Sequence, residues 1–126
     1  MKNIVIIGGT KGIGKAIVSE VVDNNNVVCL SRNQTDFSHD NYTFHNFDAL
    51  VDDYPDFDSL DCLIYCPGSI NLKPISTLSL DDFRNDFELN VIGAVRAIKK
   101  YLNLLKKSGS ASILLFSTVA TKLGMP

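Results

Sequence analysis

Four glycines near the start of the chain carry the clearest chemical signal in the sequence. Gly8, Gly9, Gly12 and Gly14 follow an uninterrupted apolar run over residues 4–7. Glycine has no Cβ, so a glycine-rich backbone turns sharply and lets a pyrophosphate approach closely. A helix that begins at such a turn also presents free N–H groups and the positive end of its dipole to an anion. This spacing therefore predicts a phosphate-binding turn.

Two kinds of phosphate site fit this spacing. Residues 9–15 match the first seven positions of a P-loop, G-x-x-x-x-G-K, but the eighth position requires a Ser or Thr to ligate magnesium and holds Ala16. The other site is a dinucleotide turn, G-x-x-x-G-x-G, on Gly8, Gly12 and Gly14, where a small alanine helps the helix pack closely on the strand. We favour the dinucleotide turn and keep a nucleoside triphosphatase and a turn without a ligand as alternatives.

The elements on both sides of the turn must position it. The apolar run over residues 4–7 is too short for a helix and too continuous for a half-exposed strand, so it predicts a strand buried on both faces, as in a parallel sheet. After the turn, Ile13, Ala16, Ile17 and Val21 recur at helical spacing and predict an amphipathic helix whose apolar face they form.

The rest of the chain continues this alternation of strands and helices. Further strands are predicted over residues 27–30, 42–47, 61–65 and 112–116. The segment between the third and fourth strands has room for a helix of about two turns at most. Right-handed crossovers then give an α/β fold, a Rossmann-like doubly wound parallel sheet with strand order 3-2-1-4-5. We expect residues 1–126 to form one domain that stops after the fifth strand.

Two cations lie where the adenosine end of a dinucleotide would bind. The second strand ends at Ser31 and Arg32, about 20 residues beyond the glycine turn, where an acidic residue would bind the free ribose of NAD. No carboxylate stands there, and Lys11 in the glycine turn can reach the same region. A guanidinium and an ammonium suit the 2′-phosphate of NADP. Two solvated surface cations are the alternative interpretation, and Asp36 is a rival ribose ligand.

A long helix over residues 80–107 is apolar over a wider arc than one contact with a sheet requires. Ser79 and the acidic residues after it predict its start, and Gly109 predicts its end. The extra width of the apolar arc predicts a second buried face. We interpret that face as an interface between copies of this chain in a homo-oligomer.

Composition limits the class of protein. The chain has 126 residues, 45% hydrophobic and 21% charged, with a formal net charge of −2, which indicates a globular domain and argues against nucleic acid as the main partner. No apolar stretch reaches the roughly 18 residues of a membrane span, and we expect no secretory signal.

Cys62 and Cys66 lie about 13 Å apart along one predicted strand, too far for a disulfide. We expect reduced thiols, no metal site and a cytoplasmic location.

Taken together, these motifs resemble the first half of a short-chain dehydrogenase/reductase, and the resemblance extends over all 126 residues. The family's T-G-x-x-x-G-x-G turn corresponds to residues 7–14, with Ile7 in place of the leading Thr. A basic residue before the second glycine and an Arg after the second strand mark the NADP-preferring branch, and Lys11 and Arg32 match both. The resemblance therefore implies NADP(H) as the preferred cofactor, NAD(H) as the alternative, and a small carbonyl or alcohol substrate.

The resemblance also implies which residues contact the cofactor. Asp48 corresponds to the family's adenine-contacting Asp, with Ala49 beside it. The family's N-N-A-G segment is replaced by Tyr-Cys-Pro-Gly over residues 65–68, in which only Gly68 is retained. The expected cofactor-binding residues are Gly8, Thr10, Lys11, Gly12, Ile13, Gly14, Ser31, Arg32, Asp48, Ala49, Cys66 and Gly68.

The family's catalytic residues are only partly present. The Asn of the tetrad corresponds to Asn90 in the long helix. The catalytic Ser corresponds to Thr118, with Ser117 as the alternative if the register shifts by one, although these hydroxyls could simply cap the end of a strand. The family's Tyr-x-x-x-Lys pair, which supplies the proton, is expected after Thr118 and is absent.

The resemblance thus implies an NAD(P)(H)-dependent oxidoreductase in the intact protein. We expect the 126-residue chain alone to bind the cofactor but to be inactive. The rival hypothesis is a dinucleotide-binding or assembly module that has no catalytic role.

Overall fold

The computed structural model describes residues 1–69 and 71–123, and its centre is a parallel sheet of five strands. The strands are β1 (Asn3–Ile7), β2 (Asn26–Ser31), β3 (Tyr42–Asn46), β4 (Cys62–Tyr65) and β5 (Ser112–Leu115). Their order in the sheet is β3-β2-β1-β4-β5. Both the predicted fold class and the predicted strand order are confirmed.

Strand β1 is central and buried on both faces, as its apolar run predicts. It pairs in parallel with β2 and with β4, and Ile7 lies opposite Leu30 on one side and Tyr65 on the other. Alternate residues point to opposite faces, so Ile4 and Ile6 enter one apolar core while Val5 and Ile7 enter the other. The sheet therefore separates two cores, one on each face, which is the doubly wound arrangement.

Helix α1 (Gly12–Val21) follows the glycine turn, but its buried face differs from the predicted one. Gly14, Val18 and Val22 are buried, whereas Ile13 is 59% exposed and Ala16 is exposed. The prediction for Ile13 and Ala16 was wrong because the helix touches the sheet at Gly14, and residues four and eight positions later share that face. Ile13 instead lies beside the cavity described below.

The predicted long helix is present, but it is not a regular α-helix throughout. It consists of α2 (Leu80–Phe87), a π-helical turn over Glu88–Ile92, and α3 (Gly93–Ser108). A capping box begins it, in which the Ser79 Oγ accepts a hydrogen bond from the Asp82 N–H at 3.0 Å. Gly109 ends it with a φ of 76°, a left-handed conformation that suits glycine.

Two other connections are short. Residues 47–61 are described throughout and contain no helix, only a turn in which the Asp52 N–H donates to the Asp48 carbonyl at 2.8 Å. A 3-10 helix, Val119–Thr121, follows β5. None of the helices in the described ranges combines the length and hydropathy that a bilayer span needs.

Helix α3 packs one face against the sheet and leaves an apolar row uncovered. Ala94, Ala97, Tyr101 and Leu105 are buried against the sheet. The uncovered row, here called the exposed helix face, consists of Phe83, Phe87, Val91, Val95 and Leu102. The sheet thus covers only part of the predicted wide apolar arc.

The two edges of the sheet are chemically different. Strand β5 pairs only with β4 among the described strands, and the side chains of residues 113–116 are between 41% and 51% exposed. At the opposite edge, Thr43, His45 and Asn46 of β3 are exposed and polar. One edge is therefore apolar and the other is polar.

Tyr101 provides a test of the core beneath α3. Its side chain is fully buried, and its Oη donates to the Pro55 carbonyl at 2.7 Å. We expect Tyr101→Phe to lower the free energy of unfolding by about 1–2 kcal/mol, because a partly buried carbonyl loses its partner. Denaturant unfolding measures this, and Lys106→Ala, an exposed change on the same helix, should stay within about 0.5 kcal/mol of the original chain. If Tyr101→Phe left the free energy of unfolding unchanged, this description of the core would be wrong.

Candidate functional site

A cavity of about 360 Å³ lies where the carboxyl ends of the strands meet. Each of the five strands contributes lining residues at or just beyond its end: Ile7, Leu30, Phe47, Cys66 and Phe116. All twelve residues expected to bind a cofactor line this one cavity: Gly8, Thr10, Lys11, Gly12, Ile13, Gly14, Ser31, Arg32, Asp48, Ala49, Cys66 and Gly68. The structure therefore brings the whole set together, while the role of each residue stays a prediction.

The glycine turn forms one wall of the cavity, and Gly8 and Gly14 are two of the positions at which it needs glycine. Gly8 has a φ of 78°, and its N–H donates to the Leu30 carbonyl at 2.8 Å. Gly14 is buried against the same turn, where a Cβ would overlap the Gly8 carbonyl. These two glycines let the helix start within contact of the strand end, which is the close approach that a pyrophosphate site needs.

The N-terminus of α1 opens into the cavity. Lys11 is the N-cap residue, with an extended backbone, and among the described residues it makes no side-chain hydrogen bond that caps the helix. The first-turn N–H groups of a helix have no partners within the helix. The first three residues of α1, Gly12, Ile13 and Gly14, line the cavity, so these N–H groups and the positive end of the helix dipole lie at its wall.

Thr10 ties the glycine turn to the end of β2. It is only 6% exposed, and its Oγ1 lies 2.8 Å from the Ser31 Oγ, a hydrogen-bond distance. Arg32 follows directly, and both Arg32 and Lys11 are exposed and line the cavity. The two cations thus stand at one end of the cavity, and the Thr10–Ser31 contact fixes the backbone between them.

Asp48 and Ala49 line the cavity beyond β3 and are held in place from two directions. The Asp48 Oδ1 accepts from the Leu50 N–H at 2.9 Å. The Ala49 carbonyl accepts from the Arg96 Nη2, and the Arg96 guanidinium lies 5.9 Å from the centre of the Tyr54 ring. Arg96 was not predicted from the sequence.

Cys66 to Gly68 form the opposite wall. The Cys66 N–H donates to the Ile7 carbonyl at 2.9 Å, which continues the sheet by one residue. Burial raises the pKa of the Cys66 thiol to about 11, so the thiol is protonated at neutral pH and is a poor nucleophile. Pro67 packs on Gly8. This wall is therefore a packing surface rather than a reactive one.

Asn90 lies in the π-helical turn and binds the loop that follows β4, here called the β4 loop (residues 66–69). Its Oδ1 accepts from the Ser69 N–H and its Nδ2 donates to the Ser69 carbonyl, both at 2.8 Å. One turn earlier, Asp86 accepts from the Ser69 Oγ at 2.6 Å and from the Asn71 Nδ2 at 3.0 Å. Asp86 was missed in the sequence, although its spacing of four from Asn90 placed the two side chains on one helix face.

Thr118 and Ser117 lie beyond the last residue of β5. Both are exposed, and the Thr118 Oγ1 accepts from the Ala120 N–H at 3.3 Å, which caps the 3-10 helix. Neither residue lines the cavity, although Phe116 does. This contact caps the 3-10 helix and not the end of the strand, so it is not the one that the alternative interpretation describes, and the catalytic role of Thr118 stays a prediction.

None of the four tyrosines is tuned as a general acid near neutral pH. Burial raises the pKa of Tyr65 to about 12. It also raises the pKa of Tyr42, Tyr54 and Tyr101. An efficient general acid has a pKa near the working pH, and these hydroxyls shift in the opposite direction. The described residues also contain no group of three or more His, Cys, Asp or Glu that could hold a metal ion.

Comparison with solved structures gives several similar folds. ElxO with NADP bound is 24% identical with a TM-score of 0.82, over 100% of this chain and 59% of that one. A short chain dehydrogenase family protein from Francisella tularensis subsp. tularensis SCHU S4 is 25% identical with a TM-score of 0.84, over 100% of this chain and 55% of that one. A short chain dehydrogenase from Leptospira borgpetersenii serovar Hardjo-bovis with bound NAD+ is 19% identical with a TM-score of 0.85, over 99% of this chain and 54% of that one.

The chain therefore spans between 54% and 59% of the lengths of these three proteins. Comparison with curated protein sequences gives no significant match. The family model described as short chain dehydrogenase matches residues 2–126. Because that model covers nearly all of its residues, the chain belongs to the short-chain dehydrogenase family.

Proposed function

We propose that residues 1–126 form a single dinucleotide-binding domain of an oxidoreductase that acts on a small carbonyl or alcohol compound. NADP(H) is the preferred cofactor and NAD(H) the alternative. The observation that supports this most directly is the cavity at the carboxyl edge of the sheet, walled by the glycine turn and open to the N-terminus of α1. Ligands of doubly wound folds bind at this place. We expect this domain to be incomplete relative to its family, because the chain spans between 54% and 59% of the lengths of three similar structures.

The residues present fit a dinucleotide. A Cβ at Gly14 would collide with the Gly8 carbonyl, so the turn leaves backbone rather than side chains facing a pyrophosphate. We expect Asp48, whose Oδ1 accepts from the Leu50 N–H at 2.9 Å, to contact the adenine. The bound cofactor would supply or accept the hydride, and the protein's part is to bind and orient it. Similar folds named as holding NADP, NADPH or NAD+ agree with this assignment.

The preference for NADP(H) is argued from charge. Arg32 and Lys11 are exposed cations at the end of the cavity where β2 stops. A phosphate monoester gains charge-assisted hydrogen bonds from a guanidinium, whereas the free hydroxyl of NAD gains no ion pair. In the segment Ser31–Asn33 no carboxylate is present to bind that hydroxyl.

The proton donor is the missing part of the catalytic machinery. None of the tyrosines in the printed sequence is followed four positions later by a lysine. The hydroxyls of Tyr54 and Tyr101 are engaged by backbone carbonyls of the core. We assign Asn90, and Thr118 or Ser117, to the catalytic set and expect no general acid among these residues.

The purified 126-residue chain tests the function directly. We expect it to bind NADPH, followed by fluorescence titration, and to leave carbonyl compounds unreduced because the proton donor is absent. Reduction of a carbonyl compound by a chain of confirmed mass would contradict the assignment of inactivity. Failure to bind NADPH and NADH alike would overturn the proposed function. Magnesium-dependent binding of ATP in their place would favour the P-loop interpretation.

Arg32 tests the cofactor preference. We expect Arg32→Asp to weaken NADPH binding by roughly 10- to 100-fold, because an ion pair with the 2′-phosphate is replaced by repulsion, while NADH binding changes little. Titration with both cofactors gives the two dissociation constants. Lys107→Asp, the same change of charge on an exposed position of α3, is the matched control and should alter neither. Equal losses for both cofactors would remove the basis for the 2′-phosphate assignment.

The exposed helix face supports a homo-oligomer. Its apolar side chains form one row along α2 and α3, and a second copy of this chain would bury them by presenting the same row. We expect Val95→Asp to lower the molar mass measured by light scattering, since it places a charge in that interface. Lys107→Asp lies on the opposite flank of α3 and should leave the mass unchanged. An unaltered assembly in Val95→Asp would contradict this interface.

A further inference from the structure

The π-helical turn over Glu88–Ile92 stands directly beside the cavity. Leu89 of this turn lines the cavity, and Asn90 binds Ser69 of the β4 loop. A π turn holds one more residue than an α turn, so it rotates the helix before it relative to the helix after it by about 100°. The π turn therefore decides which way Asn90 and the residues before it face.

The backbone hydrogen bonds of the turn leave one carbonyl for another partner. In an α-helix the Gly93 N–H would donate to the Leu89 carbonyl, four residues earlier. Here it donates to the Glu88 carbonyl, five residues earlier. The Tyr65 Oη donates to the Leu89 carbonyl instead. Tyr65 is the last residue of β4 and is only 4% exposed, so its hydroxyl reaches the partly buried Leu89 carbonyl from the core.

Gly93 makes room for that hydroxyl. A Cβ at Gly93 would overlap the Tyr65 Oη and come within 3.2 Å of the Tyr65 Cζ. A second tyrosine hydroxyl lies on the next carbonyl of the same helix row, since the Tyr54 Oη donates to the Gly93 carbonyl at 3.1 Å. The phenol of Tyr65 therefore occupies the space that a side chain at position 93 would fill.

The consequence of the turn reaches the wall of the cavity. Asn90 makes two bonds to the Ser69 backbone, and Asp86 holds the Ser69 hydroxyl. Cys66 and Gly68, in the same loop, line the cavity. A helix that relaxed to a regular α form would turn Asn90 and Asp86 away from Ser69 together. The loop would then lose three hydrogen bonds.

We propose that Tyr65 is a positioning residue, whose hydroxyl holds the π-helical turn open at Leu89 and thereby aims Asn90 at the β4 loop. Tyr65 touches neither a cofactor nor a substrate in this role. It stands where the resemblance described above has an Asn. Its effect on cofactor binding rests on the proposed function, whereas its effect on the loop does not.

Tyr65→Phe tests the proposal in the protein without any cofactor. We expect faster hydrogen exchange at the Ser69 amide, measured by NMR, because its acceptor on Asn90 moves away. We also expect NADPH to bind roughly 3- to 10-fold more weakly, since the loop must be reordered on binding. Tyr101→Phe is the matched control. It removes another buried hydroxyl of the same core, and Ser69 exchange should then stay as in the original chain once overall stability is taken into account.

A double variant separates positioning from stability. In Tyr65→Phe the overlap with the Tyr65 Oη is removed and only a tight contact of 3.2 Å with the ring Cζ remains, so adding Gly93→Ala supplies a methyl group for the vacated space and improves helix propensity. We expect the double variant to recover the unfolding midpoint but not the slow Ser69 exchange or the NADPH affinity. Recovery of all three would mean that Tyr65 only packs the core, and the proposal would be wrong.

The outcomes remain distinguishable if one variant does not fold. Gly93→Ala alone should displace the Tyr65 hydroxyl from Leu89 and accelerate Ser69 exchange in the same way. Slow Ser69 exchange in both folded single variants would overturn the positioning role, whatever the cofactor result. Accelerated exchange in a protein that binds neither NADPH nor NADH would support the positioning role and reject the proposed function.

Discussion

The structure around the cavity depends on a close backbone contact between Gly14, in the first turn of α1, and the carbonyl of Gly8. No side chain fits between the end of β1 and the start of α1, so the helix begins in contact with the strand. This contact fixes where α1 crosses the sheet and hence that Gly14, Val18 and Val22 are the residues it buries. It also leaves the first turn of α1 facing the cavity. A larger residue at position 14 would alter the core packing and the cavity at once.

On the face of the sheet that packs against α3, polar side chains form hydrogen bonds within an apolar layer. Arg96 reaches the Ala49 carbonyl, and Tyr65 reaches the Leu89 carbonyl. A buried polar group costs free energy unless it finds a partner, so each contact admits few alternative geometries. Both side chains join the layer of α3 to a wall of the cavity.

Strand order, the glycine turn and the set of lining residues could all be predicted from the sequence, because they follow from local pattern and from the handedness of crossovers. The π-helical turn could not, since it depends on Tyr65 and Gly93, which are 28 positions apart in the chain and meet only in the folded core. Ile13 was misplaced for a related reason. Helical periodicity gives the width of an apolar face, but the contact at Gly14 sets its direction. The hydroxyl of Thr118 was foreseen, yet its bond to the Ala120 N–H depends on the turn that follows.

The two edges of the sheet differ in polarity, and this difference determines at which edge an added strand would be more stabilising. Thr43 and His45 at the β3 edge are polar and well solvated, whereas the exposed side chains of residues 113–116 at the β5 edge are apolar. A further strand paired with β5 would form hydrogen bonds with the backbone groups of β5 that no described strand pairs with, and it would also remove apolar surface from solvent. The same strand at β3 would bury much less apolar surface and gain less hydrophobic free energy. An added strand, whether from the same polypeptide or from another, is therefore more stabilising at the β5 edge than at the β3 edge.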